Sequence, residues 1–75
     1  MLNEMLIMDQ TGHTRTTWDA DNDDEVEMAR ETFKRMTKKG YRAFKVKKDG
    51  SEGVQMQEFD PSAEKMILAP QLQGG

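Results

Sequence analysis

The stretch that decides the fold runs from Asn22 to Gly40 and reads NDDEVEMARETFKRMTKKG. Its apolar residues recur at the spacing of a single stripe along an α-helix: Val26, Ala29, Phe33 and Met36. Asn22 followed three residues later by Glu25 has the pattern of a capping box, and Gly40 stands where a helix commonly ends. The pattern therefore predicts a helix over residues 22–39 with one apolar face.

Segments with strand chemistry flank this helix on both sides. Before it, 4–9 and 13–18 are rich in apolar and β-branched residues and are joined by a short turn that ends in Gly12, which predicts a hairpin. After it, three further strands are predicted, over 41–47, 54–58 and 65–69. Between the last two, residues 60–64 predict one helical turn capped by Asp60.

A helix with one apolar stripe needs a sheet to cover. The sequence therefore predicts an α+β fold, in which a mixed sheet of four to five strands packs on one helix in the order ββαβββ. The expected core comprises Leu6, Met8, Trp18, Val26, Ala29, Phe33, Met36, Phe44, Val46, Met56 and Ile67. We expect the seven methionines to fill gaps in this small core rather than to form a site.

Composition limits the classes of protein that this chain fits. Its 75 residues predict one domain over 1–70, followed by a flexible tail over 71–75. The absence of cysteine excludes disulfides, thiolate zinc sites, iron–sulfur clusters and thioester-forming nucleophiles. No apolar run approaches the length of a membrane span, and the N-terminus lacks a basic-then-apolar signal. We expect a cytoplasmic protein without a membrane partner.

The chain ends in a segment with no evident reason to fold, Pro70-Gln71-Leu72-Gln73-Gly74-Gly75. Glycine loses more conformational freedom on ordering than any other residue, and free termini fray. We therefore predict that the paired terminal glycines present an unhindered carboxylate at the end of a flexible, narrow segment. Such a segment can enter a narrow active site of a partner enzyme.

The element order and this ending resemble the ubiquitin-like β-grasp family. The likeness rests on a hairpin turned by Thr11-Gly12, one helix crossing the sheet, and a last strand that runs into the tail. The tail has the same pattern of residue types as the end of ubiquitin, namely polar, Leu, polar, Gly and Gly, although Gln71 and Gln73 stand where ubiquitin carries arginines. Ala69-Pro70 also resembles the proline-containing tails of the molybdopterin-synthase small subunit and related sulfur carriers.

This resemblance implies a carrier or protein modifier rather than an enzyme. Gly75 would supply the carboxylate that an activating enzyme adenylates, and Gly74 would be the slim neighbour that admits it to the active site. Leu72 would anchor the tail, with Gln71 and Gln73 completing its recognition. The implied partners are an activating enzyme and a target protein, and no cofactor is implied.

A second class of function stays open on the residues alone. A small non-catalytic adaptor or regulator, such as a phage encodes, would bind one protein partner through a surface that carries both signs of charge. Seven of the fourteen acidic residues lie between Asp19 and Glu31, next to a basic segment. The predicted edge strand over 54–58 is a further place where another chain would pair.

The basic segment raises a third option, weak nucleic-acid binding. Eight of the eleven basic residues fall between Lys34 and Lys48, and the candidate basic patch is Lys38, Lys39, Arg42, Lys45 and Lys47. With Tyr41 and Phe44 between them, these residues faintly resemble the basic and aromatic strand of RNA-recognition domains. The net charge of −3 and the opening hairpin oppose this interpretation, so nucleic acid is not the expected partner.

No catalytic or metal-binding constellation is evident in the sequence. His13 is the only histidine, and it has no cysteine or suitably placed serine as a partner. Asp19 to Asp23 begins like a calcium loop, but Asp24 replaces its glycine and Arg30 its bidentate glutamate. Helix capping explains these acids without a metal, and we expect no enzymatic activity from the chain alone.

Overall fold

The computed structural model describes residues 2–9, 12–47, 49 and 53–70. The elements follow the predicted order: β1 (Leu2–Asp9), β2 (Gly12–Asp19), α1 (Asp23–Lys38), β3 (Tyr41–Val46), β4 (Val54–Met56) and β5 (Lys65–Pro70). The one helical turn predicted over 60–64 is instead a tight turn, closed by a hydrogen bond of 3.1 Å from the Ala63 N–H to the Asp60 carbonyl.

The five strands form one mixed sheet in the order β2-β1-β5-β3-β4. β1 pairs antiparallel with β2 and parallel with β5, and β5 pairs antiparallel with β3. The last strand of the chain thus lies in the middle of the sheet, and β2 and β4 form its two edges. This is a β-grasp-like α+β fold, as the sequence predicts.

Helix α1 begins and ends at the predicted signals. The Asn22 side-chain oxygen accepts hydrogen bonds from the backbone N–H groups of Asp24 and Glu25, which satisfies donors that the first helical turn leaves free. At the other end, Gly40 takes a φ of 104°, a conformation that residues with a Cβ rarely adopt. Both ends of the helix are therefore determined locally.

The core lies between α1 and one face of the sheet. Its buried members are Met5, Ile7, Trp18, Ala29, Phe33, Ala43, Ala63, Met66 and Leu68. The predictions for Trp18, Ala29 and Phe33 are confirmed. Val26, Met36 and Met56, also predicted, are partly buried and pack against this cluster.

The prediction of a core position is wrong for four residues: Leu6, Met8, Phe44 and Ile67. Residues directly opposite each other on neighbouring strands share a face, and Leu6 and Phe44 are each paired with Ile67. Their neighbours Met5, Ala43 and Leu68 face the helix, so these three side chains point to the opposite face, where they are only half-buried. Met8 is 45% exposed. Val46 is buried, so its prediction is confirmed, although it lies outside the helix-side core cluster, with Gly53 next to its side chain.

The side chains of Asn3 and Trp18 donate hydrogen bonds to the segment that precedes β5. The buried Asn3 donates from Nδ2 to the carbonyls of Pro61 and Ala63, at 3.2 and 2.7 Å. The Trp18 indole N–H donates to the same Pro61 carbonyl at 3.1 Å. The Phe59 ring packs on Trp18 with centroids 5.2 Å apart. These contacts fix where β5 begins.

Asn3→Ala is expected to lower the free energy of unfolding by about 1–3 kcal/mol, because it leaves a buried carbonyl without its donor. Urea unfolding at neutral pH measures the change, with the exposed Thr14→Ala on β2 as the control. A cost for Asn3→Ala no larger than that of the control would contradict this role for Asn3.

Candidate functional site

The predicted reacting group follows β5, a central strand of the sheet. β5 is paired along both sides, with Tyr41 opposite Pro70 and Ile7 opposite Leu68 near its end. The residues predicted for conjugation and tail recognition, Gln71, Leu72, Gln73, Gly74 and Gly75, lie outside the described residues. The structure therefore shows the base of the tail and its surroundings.

Basic side chains collect at the end of the sheet where β5 finishes. Arg42 is exposed and paired with Ala69, the second-last residue of β5. Lys38 and Lys39 are exposed at the C-terminus of α1, and only Gly40 separates them from the start of β3. Three residues of the predicted basic patch thus lie at the base of the tail.

The other two residues of the predicted patch lie at the far end of β3. Lys47 lies five positions after Arg42, roughly 17 Å away at the rise of an extended strand. Lys45 pairs with Asp60, its Nζ 3.3 Å from Oδ2. Both lysines line a cleft of about 660 Å³, and the other charged residues that line it, among those the structure describes, are acidic: Asp49, Asp60 and Glu64. The five basic residues are thus divided into two groups with different surroundings.

The Asp60 carboxyl group has a clear change in acidity. Its pKa lies below its ordinary value of 3.8, first because the Ser62 hydroxyl donates to it at 2.6 Å, then because the Ser62 backbone N–H donates at 3.0 Å. Lys45 adds a smaller attraction, and partial burial opposes the shift. The carboxylate closes the turn that leads into β5.

This shift predicts a pH dependence of stability. The folded state binds the Asp60 proton less tightly than the unfolded state, so the contribution of Asp60 to stability is complete above about pH 4 and is lost as the pH falls through the folded pKa. Asp60→Asn should lower the free energy of unfolding at neutral pH and flatten its decline below pH 4. Urea titrations at a series of pH values test this, with the exposed Glu64→Gln as the control. An unchanged acid profile in Asp60→Asn would contradict it.

The face of the sheet turned away from α1 carries an apolar strip, formed by Leu6, Phe44 and Ile67. The three side chains are neighbours across the central strands and are half-buried. Ionic groups bound the strip toward the start of β1, where Glu4 accepts from Arg15 at 2.9 Å and lies 3.5 Å from Lys65. The sequence signal for this strip is that β1, β3 and β5 each carry apolar residues on both faces.

The remaining motifs have structural explanations in the described residues. The Glu25 carboxylate accepts from the Asp19 backbone N–H and from the Asn22 side chain, so it joins β2 to the start of α1. His13 is exposed on β2, opposite Met8. No three potential metal ligands among His, Cys, Asp and Glu come together in the part of the chain that the structure describes.

The fold and the base of the tail define a small β-grasp-like domain whose central last strand carries the C-terminal segment. Neither a known protein family, nor a curated protein, nor a solved structure matches the chain. Among the described residues, no helix is both long enough and apolar enough to cross a membrane.

Proposed function

We propose that this protein is a ubiquitin-like modifier or sulfur carrier whose C-terminal glycine carboxylate is activated and transferred. The observation that carries the proposal is the position of β5, which is paired on both sides and ends at Pro70. Five residues then separate this rigid strand from the terminal carboxylate. A short tail on a fixed base delivers its end to a partner's active site without any change in the folded domain.

The chemistry follows from the terminal residues and the resemblance. The Gly75 carboxylate attacks the α-phosphate of ATP in an activating enzyme, which forms an acyl adenylate and releases pyrophosphate. A thiol then displaces AMP to give a thioester, or sulfur at the oxidation level of sulfide displaces AMP to give a thiocarboxylate. Gly74 leaves room beside the reacting carbon, and Leu72 gives the partner an apolar contact between the polar Gln71 and Gln73.

Charge at the base of the tail supports recognition by an acidic partner surface. The tail itself carries no basic side chain, because glutamines occupy both polar positions before the glycines. Arg42, Lys38 and Lys39 instead place positive charge where β5 ends. Complementary charge of this kind speeds and orients the encounter more than it adds affinity.

Intact-mass analysis of the protein isolated from its native host tests this proposal. A carrier should show a fraction of molecules in which one oxygen is replaced by sulfur, or a covalent adduct that maps to Gly75. The matched in vitro test incubates the protein with ATP and a host extract and looks for a thiol-sensitive adduct. Unmodified protein under both conditions would argue against the proposal.

The apolar strip favours the second candidate, a non-catalytic protein-binding adaptor. Leu6, Phe44 and Ile67 keep part of their apolar surface in solvent although the chain has a buried core elsewhere. Contiguous exposed apolar surface often marks a protein-binding site. An adaptor would bind its partner equally well after loss of the two terminal glycines, and a carrier would lose its activity.

A further inference from the structure

We propose that the cleft between the end of β3 and the turn before β5 is a docking site for an arginine side chain of a partner protein. The occupant would not compete with the tail chemistry, because the cleft lies where β5 begins and the tail leaves the sheet where β5 ends. The shape of the cleft, the acceptor positions of Asp60 and the charge of the walls together favour this occupant.

The cleft lies where the chain leaves the sheet. β4 covers only Val54–Met56, so it ends before its predicted end, and the segment that follows leads to the turn over 60–64 beside the end of β3. The apolar lining of the cleft includes the buried Val46 and Ala63. Val54 also lines it and is 62% exposed. A long side chain would therefore find apolar contacts for its aliphatic stem.

The cleft continues past an ion pair into a smaller cavity. Lys45 and Asp60, whose Nζ and Oδ2 atoms are 3.3 Å apart, line both cavities. The smaller cavity has a volume of about 350 Å³, and Met56, Phe59 and Pro61 give it apolar walls. Together the two cavities exceed what one arginine side chain fills, so the residues on either side of that arginine would also be accommodated. This favours an extended segment of a protein over a free small molecule.

Asp60 offers an open acceptor position to this ligand. Its Oδ1 atom accepts from the Ser62 hydroxyl at 2.6 Å and from the Ser62 N–H at 3.0 Å. Among the described residues, Oδ2 meets Lys45 alone, at 3.3 Å, and a carboxylate oxygen has two lone pairs. Both side chains of this ion pair are partly exposed, so the pair contributes little stability and an incoming cation can share the carboxylate. A guanidinium presents several N–H donors in one plane and suits a carboxylate better than an ammonium does.

The charge of the walls selects a cation. Among the described residues, the cleft is lined by three acidic and two basic side chains: Asp49, Asp60, Glu64, Lys45 and Lys47. Glu64 belongs to none of the ion pairs between described residues, whereas Lys45 is already paired with Asp60. An anion would face more like charge than opposite charge, and a cation the reverse. A metal ion is not favoured, since no three potential ligands come together in the described part of the chain.

The test uses the full-length ¹⁵N-labelled protein and the acetylated, amidated peptide Gly-Val-Arg-Val-Gly. We expect saturable shifts of the amides of residues 45–47 and 62–64, with a Kd of about 1 mM. A peptide with citrulline in place of arginine keeps the shape without the charge and should bind at least about tenfold more weakly. A lysine peptide should also bind more weakly, because it lacks the planar fork of donors. The chain truncated after Gln73 should bind equally, which separates this site from the proposed function.

Lys45→Met gives the sharpest test, because a cation site and an anion site respond to it in opposite directions. It removes the native competitor for Asp60 and should strengthen binding of the arginine peptide by about twofold to fivefold. Glu64→Gln leaves the turn between Asp60 and Ser62 in place and should weaken binding by a similar factor. The exposed Thr14→Ala on β2 is the control and should bind as the wild type does. Circular dichroism confirms that all three variants fold.

Several results would overturn the proposal. They are unchanged or weaker binding by Lys45→Met, unchanged binding by Glu64→Gln, equal binding of the citrulline peptide, shifts confined to β2 or to the apolar strip, and no saturable binding at tens of millimolar peptide. Propylguanidine that binds as tightly as the peptide would assign the cleft to a free small molecule instead. A dimeric mass without peptide would assign it to a second copy of this chain.

Discussion

A chain that lacks Gly74 and Gly75 is expected to form no covalent adduct and no thiocarboxylate, while it folds as the full-length protein does. The new terminal carboxylate, on Gln73, would carry a bulky side chain at its α-carbon and would fall two residues short of the partner's reacting atoms. A narrow site shaped for two glycines excludes such an end. The expected effect is complete loss of transfer, measured by intact mass after incubation with ATP and host extract.

Two controls separate loss of the reacting glycines from unfolding and from general damage to the tail. The melting temperature should not change, because β5 ends at Pro70 and the described core contains no residue beyond Leu68. Gln71→Ala keeps both glycines and should retain transfer, at a reduced rate if Gln71 contributes to tail recognition. Adducts that persist in the truncated chain would show that Gly75 is not the reacting residue and would leave the adaptor as the better candidate.

Phe33→Ala is expected to remove most of the protein's free energy of unfolding. Phe33 is 2% exposed and packs edge-on against Phe59, with ring centroids 5.8 Å apart. Truncation of a buried phenylalanine costs about 3–5 kcal/mol, and a domain of this size has a total stability of about 5 kcal/mol. Urea unfolding followed by circular dichroism should show the midpoint shifted to a much lower urea concentration, with unfolded molecules already detectable without denaturant.

Phe44→Ala is the matched control on the other face of the sheet. The same side chain is removed, but Phe44 is only half-buried in the apolar strip, so the expected cost is below about 2 kcal/mol. Equal costs for the two variants would mean that the strip is part of the core and is not available to a partner.

The order of the elements was predictable because its signals are local. The capping pair Asn22 and Glu25, the apolar stripe of α1 and the positive-φ Gly40 all act within one or two helical turns. Gly12, with a φ of 137°, similarly begins β2 after the turn. The segment over 60–64 was predicted less well, because Asp60 closes a tight turn through Ser62 without starting a helix.

The candidate site was predictable only in part. The terminal glycines are evident in the sequence, but the basic residues at the base of the tail are brought there by the pairing of β3 with β5. A linear basic run suggested one patch, and the strand geometry divides it between two ends of the sheet. The sequence also did not indicate that β2 lies at an edge of the five-stranded sheet, since a strand's neighbours depend on the order in which the whole sheet assembles.

The sequence by itself determined the order of helix α1 and the five strands, because helix caps, periodicity and turn residues act over a few neighbouring positions. Only the tertiary structure decided which face of each central strand is buried. In β1, Met5 and Ile7 alternate with Leu6 and Met8, so both faces are apolar and periodicity cannot choose between them. The choice depends on which face the distant helix covers. Packing of α1 on Met5, Met66 and Leu68 leaves the apolar strip on the open face, beside the strand that carries the tail.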